Sequence, residues 1–245
     1  MKNLKIIGSG DAFGSGGKYN TSFLVRDENG GFLIDCGAST IIRLKQLNID
    51  LTSIHTVFIS HFHGDHYGGL PFLILSFRYE YECENKLNIV GPKGIKEKVY
   101  NLQEAMYPDT GYLIDELNLN FTEFDSKNGN DIKGVHCEAI PVHHAPGAFP
   151  HGIRLSWNDK TLAYSGDTEW TESIYKVCKG AEFFICECNF VEKEIPGHLS
   201  YKILKAKLSD FNPSNLYLTH MNKSMIENSE VIYKKLNDGD EFELW

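Results

Sequence analysis

Short apolar runs broken by Gly, Asn, Asp or Pro dominate the first half of the chain. Residues 4–7, 22–26 and 32–35 read as strands, with Asn29-Gly30-Gly31 as a hairpin turn between the last two. Ile41, Ile42, Leu44 and Leu47 recur at helical spacing across 39–47. Residues 56–60 (Thr-Val-Phe-Ile-Ser) form a buried strand, followed by a helix-like, almost wholly apolar 70–77. Further on, 87–90, 117–124 and 135–142 read as strands and 93–106 as a helix. Residues 152–157 and 161–165 form a strand-turn-strand unit around Asn158-Asp159-Lys160. The chain closes with helix 171–179, strand 183–188, helix 201–208, strand 216–219 and helix 225–236. Many strands interrupted by helices in both halves suit two sheets packed face to face with helices outside. No linker, composition shift or low-complexity stretch divides the 245 residues, so one domain over 1–245 is expected.

Composition narrows the class. Hydrophobic residues make up 42% and charged residues 23%, the balance of a soluble globular chain. No apolar run approaches the ~20 residues of a membrane span, so no membrane partner is expected. The first residues read as a strand rather than a signal peptide. A net charge of −9 disfavours a nucleic-acid partner, because phosphate backbones need basic surface. Six cysteines show no zinc-finger spacing, and Cys186 and Cys188 would share one face of a strand; buried free thiols fit a reducing, cytoplasmic setting.

Histidine carries the chemistry. His61-Phe62-His63-Gly64-Asp65-His66 directly follows the strand at 56–60. On an extended chain i and i+2 point the same way, so His61 and His63 can face one metal. Gly64 is expected to allow a sharp turn that brings Asp65 and His66 to a second position. Imidazole and carboxylate are the ligands of zinc, manganese or iron in catalytic sites. A further His is available at either His143 or His144, which would point to opposite sides of a strand.

These residues resemble the metallo-β-lactamase superfamily, whose signature is His-x-His-x-Asp-His after a strand. The likeness extends along the chain. Asp35-Cys36-Gly37 is similar to its Asp-x-Gly motif, Gly166-Asp167-Thr168 to its Gly-Asp-Thr motif, and Leu218-Thr219-His220 to its last ligand motif. The spacing Val142-x-His144-x-Pro146-Gly147 selects His144 over His143. The resemblance implies an α/β fold, the αββα four-layer sandwich, with two mixed sheets and helices on both outer faces. It implies two divalent ions, zinc first and Mn or Fe as alternatives. One would take His61, His63 and His144, the other Asp65, His66 and His220, with Asp167 bridging; Asp35 would orient ligand imidazoles.

Two further stretches are similar to ribonuclease Z and related phosphodiesterases: the strand ending in Glu187, and Gly197-His198-Leu199-Ser200. There the resemblance implies a proton-donating pair, His198 oriented by Glu187, so Asp65, His198 and Glu187 are the expected catalytic residues. The Gly-rich stretch 8–20 also resembles this branch and could present amides to a phosphate. The short segment 145–166 leaves no room for the tRNA-clamping arm of ribonuclease Z. The expected activity is therefore hydrolysis of a small phosphodiester such as a cyclic nucleotide by metal-activated water. An ester, lactone or thioester hydrolase is the alternative, and a tRNA 3′ processing endonuclease or a non-catalytic metal scaffold less so. The apolar 70–77 segment suggests a homodimer with Phe72 and Phe77 at a self-complementary patch.

Overall fold

The computed structural model describes residues 2–28, 30–81, 87–207 and 215–245. The expectations at Asn29, Cys83 and Leu208 lie outside the described residues. The strands in chain order are β1 (Asn3–Gly8), β2 (Ser22–Asp27), β3 (Gly30–Ile34), β4 (Ile54–Phe58), β5 (Asn88–Gly91), β6 (Asn120–Glu123), β7 (Asn130–Ile132), β8 (Val135–Pro141), β9 (His151–Trp157), β10 (Lys160–Tyr164), β11 (Phe183–Glu187), β12 (Leu216–Thr219), β13 (Lys234–Lys235) and β14 (Glu241–Glu243). The chain divides into two compact units. One comprises Met1–Gly8, Tyr19–Glu123 and Asp238–Leu244, the other Ser9–Lys18, Phe124–Asn237 and Trp245.

Each unit holds one mixed sheet flanked by helices. In the first the order is β14-β1-β2-β3-β4-β5-β6, antiparallel from β14 to β3 and parallel from β3 to β6. Its central strands β3, β4 and β5 are largely buried, as parallel central strands must be when both faces are covered. Leu24, Leu33, Val57 and Ile89 pack with residues of helices Thr40–Gln46, Leu70–Tyr79 and Ile95–Met106. The alternate residues Phe23, Phe32 and Phe58 are also buried, Phe32 and Phe58 edge to face at 5.5 Å.

In the second unit the order is β13-β12-β11-β10-β9-β8-β7, parallel from β10 to β13 and antiparallel from β7 to β10. Ala163, Phe184, Cys186 and Leu218 pack with helices Ser173–Cys178 and Tyr201–Lys207. Asn158 and Asp159, both with positive φ, close the β9–β10 hairpin, as a two-residue turn of matching twist requires. Cys36, Cys137, Cys178, Cys186 and Cys188 are free and buried. Among the described residues no helix is long and apolar enough to cross a membrane.

Three expectations need correction. The helix expected over 225–236 is only Lys223–Glu227. Asn228 is extended, its side chain accepts the Glu230 amide at 2.7 Å, and Lys235 takes the carbonyls of Ile226 and Asn228, so side chains satisfy the backbone in place of another helical turn. The following apolar residues instead lead into edge strand β13. The strand expected over 117–124 is shorter, β6 alone, because the chain leaves the preceding helix Leu113–Glu116 through a turn with Asn118 at φ 50°. Phe77 cannot form a surface patch: with Leu70, Leu73 and Ile74 it is fully buried in the core of its own unit. Phe72 is half-buried beside Tyr107.

Candidate metal centre

In the first unit, β3 and β4 run parallel and end side by side. Asp35 follows β3 in the left-handed region, at φ 57°, and is fully buried. Its carboxylate accepts the Ser60 amide at 2.7 Å, the Ser60 hydroxyl at 2.8 Å and His66 Nδ1 at 2.7 Å. Burial pushes the Asp35 carboxyl upward, against the opposing pull of His66 and Ser60. Because the Ser60 hydroxyl donates to Asp35, its oxygen accepts from His61 Nδ1, 3.0 Å away. Both rings therefore carry their proton on Nδ1 and their lone pair on Nε2, the arrangement of ligand imidazoles held by acceptors behind them. The rings of His61 and His63 lie 4.8 Å apart and those of His61 and His66 4.1 Å. His63 is extended and caps the helix Gly64–Tyr67, which places Asp65 Oδ2 3.2 Å from His66 Nε2.

The glycines there differ from expectation. Gly64 has no left-handed φ, and a β-carbon on it would meet nothing within 4 Å; the turn is a helix start that any residue can make. Gly37 is the constrained one, because a β-carbon would fall 2.1 Å from the Asp65 carbonyl oxygen. That close approach explains the Asp-x-Gly pattern.

In the second unit the parallel strands β10, β11 and β12 end together and carry Asp167, Glu187 and His220. His220 Nε2 lies 3.2 Å from Asp167 Oδ2, and His144 Nε2 lies 4.0 Å from the same oxygen. His144 donates from Nδ1 to the Gly197 carbonyl at 2.6 Å, which puts its lone pair on Nε2 as well. Glu187 is fully buried and works on two loops. One oxygen accepts the Thr168 amide at 2.7 Å and faces His198 Nδ1 at 3.0 Å; the other accepts the Leu199 amide at 3.3 Å. The His198 ring stacks on His220 at 5.4 Å and meets His144 edge-on at 4.8 Å. Burial opposes its charged form, but the hydrogen bond and charge of Glu187 outweigh that and hold the ring above the usual histidine value. Burial raises Glu187 itself, and the Asp167 charge adds to the rise against the pull of His198.

The donor set fits a divalent cation. Imidazole lone pairs and carboxylate oxygens are the ligand types of zinc, manganese and iron sites. In the second unit His144, Asp167 and His198 bring ligand atoms within 4.8 Å of one another, as do Glu187, His198 and His220.

Of the nine expected residues, Asp65 and His66 sit in the short helix that follows β4, and the other seven sit at strand ends or in the loops that follow them. In the first unit His61, His63, Asp65 and His66 are together; in the second His144, Asp167, Glu187, His198 and His220 are together. His143 is exposed, and only its backbone joins the network, through the Thr168 hydroxyl and the Glu169 amide. Sequence reasoning passed over two supports. Glu169 accepts the Gly197 amide at 2.9 Å, and Asn189 donates to the His220 carbonyl at 2.8 Å. Glu169 directly follows the Gly-Asp-Thr motif and Asn189 lies two residues after Glu187, and those positions were the available signal. In the Gly-rich stretch amides 13, 14, 15, 17 and 18 are bonded within the loop, those of Phe13 and Ser15 to the Asp11 carboxylate, so these five are engaged by the loop itself.

Fold and motif order define a metal-dependent hydrolase of the metallo-β-lactamase fold, in the ribonuclease Z-like branch. A ribonuclease Z of Agathobacter rectalis is 25% identical over 252 residues, covering 84% of this chain and 79% of its own. The metallo-β-lactamase fold protein YhfI of Bacillus subtilis superposes with a TM-score of 0.77 at 18% identity, covering 98% of each chain. A diphosphatase of the PhnP family superposes with a TM-score of 0.79 at 15% identity, covering 100% of this chain and 98% of its own. The family described as Anti-Pycsar protein Apyc1 matches residues 2–236, and the chain belongs to it.

Proposed function

We propose that the protein is a dinuclear metallophosphodiesterase acting on a small diester such as a cyclic nucleotide, with both units working as one cytoplasmic hydrolase domain over 1–245. His61, His63 and His144 would hold one ion, Asp65, His66 and His220 the other, and Asp167 both; zinc suits these donors, with Mn and Fe as alternatives. Bound ions supply Lewis acidity toward the phosphoryl oxygen and activate water. The observation that carries the reading is the His198–Glu187 pair beside Asp167 and His220. His198 lends a proton to the leaving oxygen, and Glu187 fixes the ring by holding Nδ1. Asp35 and Ser60 hold the first-unit imidazoles, and Gly197 holds His144.

Segment 145–166 supports a small substrate, since it holds only the short turn Pro146–Ala148, β9, β10 and the residues that join them. The relatives named ribonuclease Z favour a second reading, an RNA phosphodiester, and net charge alone does not exclude it. We retain the homodimer as part of the proposal, with Phe72 available to it and Phe77 not. A hydrolase screen of metal-analysed protein tests the reading, with cyclic nucleotides, tRNA precursor, lactones and thioesters side by side. Turnover of cyclic nucleotides above the others is expected; turnover of lactones or thioesters alone would refute it.

A further inference from the structure

The loop Ser9–Lys18 of the second unit is built more firmly than its glycine content suggests. Asp11 is buried, and its carboxylate accepts the Phe13 amide at 3.1 Å, the Ser15 amide at 2.9 Å and the Ser15 hydroxyl at 2.7 Å. Lys18 closes the loop by donating to Ser9 Oγ at 3.1 Å and to the Leu236 carbonyl at 3.1 Å. The loop is also tied to the site, since the Ser9 carbonyl accepts the backbone amide of His220 at 3.1 Å. On this pinned frame the Phe13 side chain is 90% exposed. A lone exposed apolar residue is ordinary on a surface. This one stands two residues after Asp11, whose buried carboxylate fixes its amide. Four residues of chain reach at most ~14 Å, so its backbone stays within that distance of the carbonyl that holds His220.

We propose that Phe13 is a stacking platform for the nucleobase of the substrate, and so a specificity-determining residue; this rests on the phosphodiesterase reading above. An aromatic face binds any base by stacking, without a hydrogen-bond code, and does so best when its backbone is already fixed. The ring needs no rearrangement to serve, because Asp11 holds the loop without it. The platform gives affinity for the base and leaves the phosphate chemistry to the strand ends.

The test compares the metal-loaded wild type with Phe13→Ala and Phe13→Tyr. Calorimetry reads binding of uridine 5′-monophosphate and of ribose 5-phosphate, which lacks the base. Phe13→Ala should weaken the nucleotide about fivefold or more, leave ribose 5-phosphate unchanged, and be rescued by Phe13→Tyr. Equal nucleotide affinity in wild type and Phe13→Ala, equal loss for both ligands, or no wild-type preference for the nucleotide would each overturn the proposal. Turnover of methyl p-nitrophenyl phosphate, which has no base, reports the reaction separately. Its absence would sink the phosphodiesterase reading while the binding arm still decides the role of Phe13.

Discussion

Glu187 stands 3.0 Å from Nδ1 of His198 with no exposure of its own, while the histidine keeps an exposed edge. A buried carboxylate behind a partly exposed imidazole fixes which nitrogen faces outward. If His198 protonates a leaving oxygen, its loss must depend on how much the leaving group needs a proton. His198→Ala should lower kcat about 10²–10⁴-fold on an alkyl diester, and far less on a p-nitrophenyl diester. Equal losses on both would assign the ring a merely structural role. Glu187→Gln should give a smaller loss with the same leaving-group dependence.

Gly37 and Gly64 should respond in opposite ways. A β-carbon at Gly37 would meet the Asp65 carbonyl at 2.1 Å, whereas one at Gly64 meets nothing within 4 Å. Gly37→Ala should therefore lower the thermal midpoint and displace the Asp65 loop. Gly64→Ala should leave stability unchanged or raise it by up to ~1 kcal/mol through helix propensity. Calorimetric unfolding of the two variants checks this.

Asp35 holds His66 directly and His61 through Ser60. Removing such an acceptor costs metal affinity more than it costs the fold. Asp35→Asn should bind metal about 10–100-fold more weakly, read by competition with a chromogenic chelator. Unchanged affinity would remove Asp35 from the site.

His151 gives a pH signature away from the ligands. Burial lowers its pKa below the usual histidine value, despite its hydrogen bond to the Phe149 carbonyl at 2.7 Å. The unfolded chain then takes up the proton first as pH falls through about 6.5. Stability should be full above that pH and decline below it. His151→Gln should lose less stability than wild type between pH 7 and 5, as measured by urea unfolding.

The strand ends were readable because β3, β4, β10, β11 and β12 are short apolar runs that stop at polar motifs, and the chemistry sits where they stop. Element types held wherever periodicity came from burial on a sheet or helix face. They failed at 225–236, where Asn228 satisfies the backbone through its own side chain. Phe77 was misplaced because an all-apolar segment does not reveal whether the core or a second copy of the chain covers it. Gly64 was misread because spacing identifies a turn but not its φ. Edge strands β7, β13 and β14 are short and polar, and pairing rather than pattern makes them strands.

Metal content tests the central claim most directly. Elemental analysis of purified protein, paired with diester turnover before and after chelation, should find two divalent ions per chain. Activity should vanish on their removal and return on their replacement, and Asp167→Asn should retain fewer ions. Wild-type protein that turns over diesters with no bound metal, or that fills only one site at saturating zinc, would contradict the account.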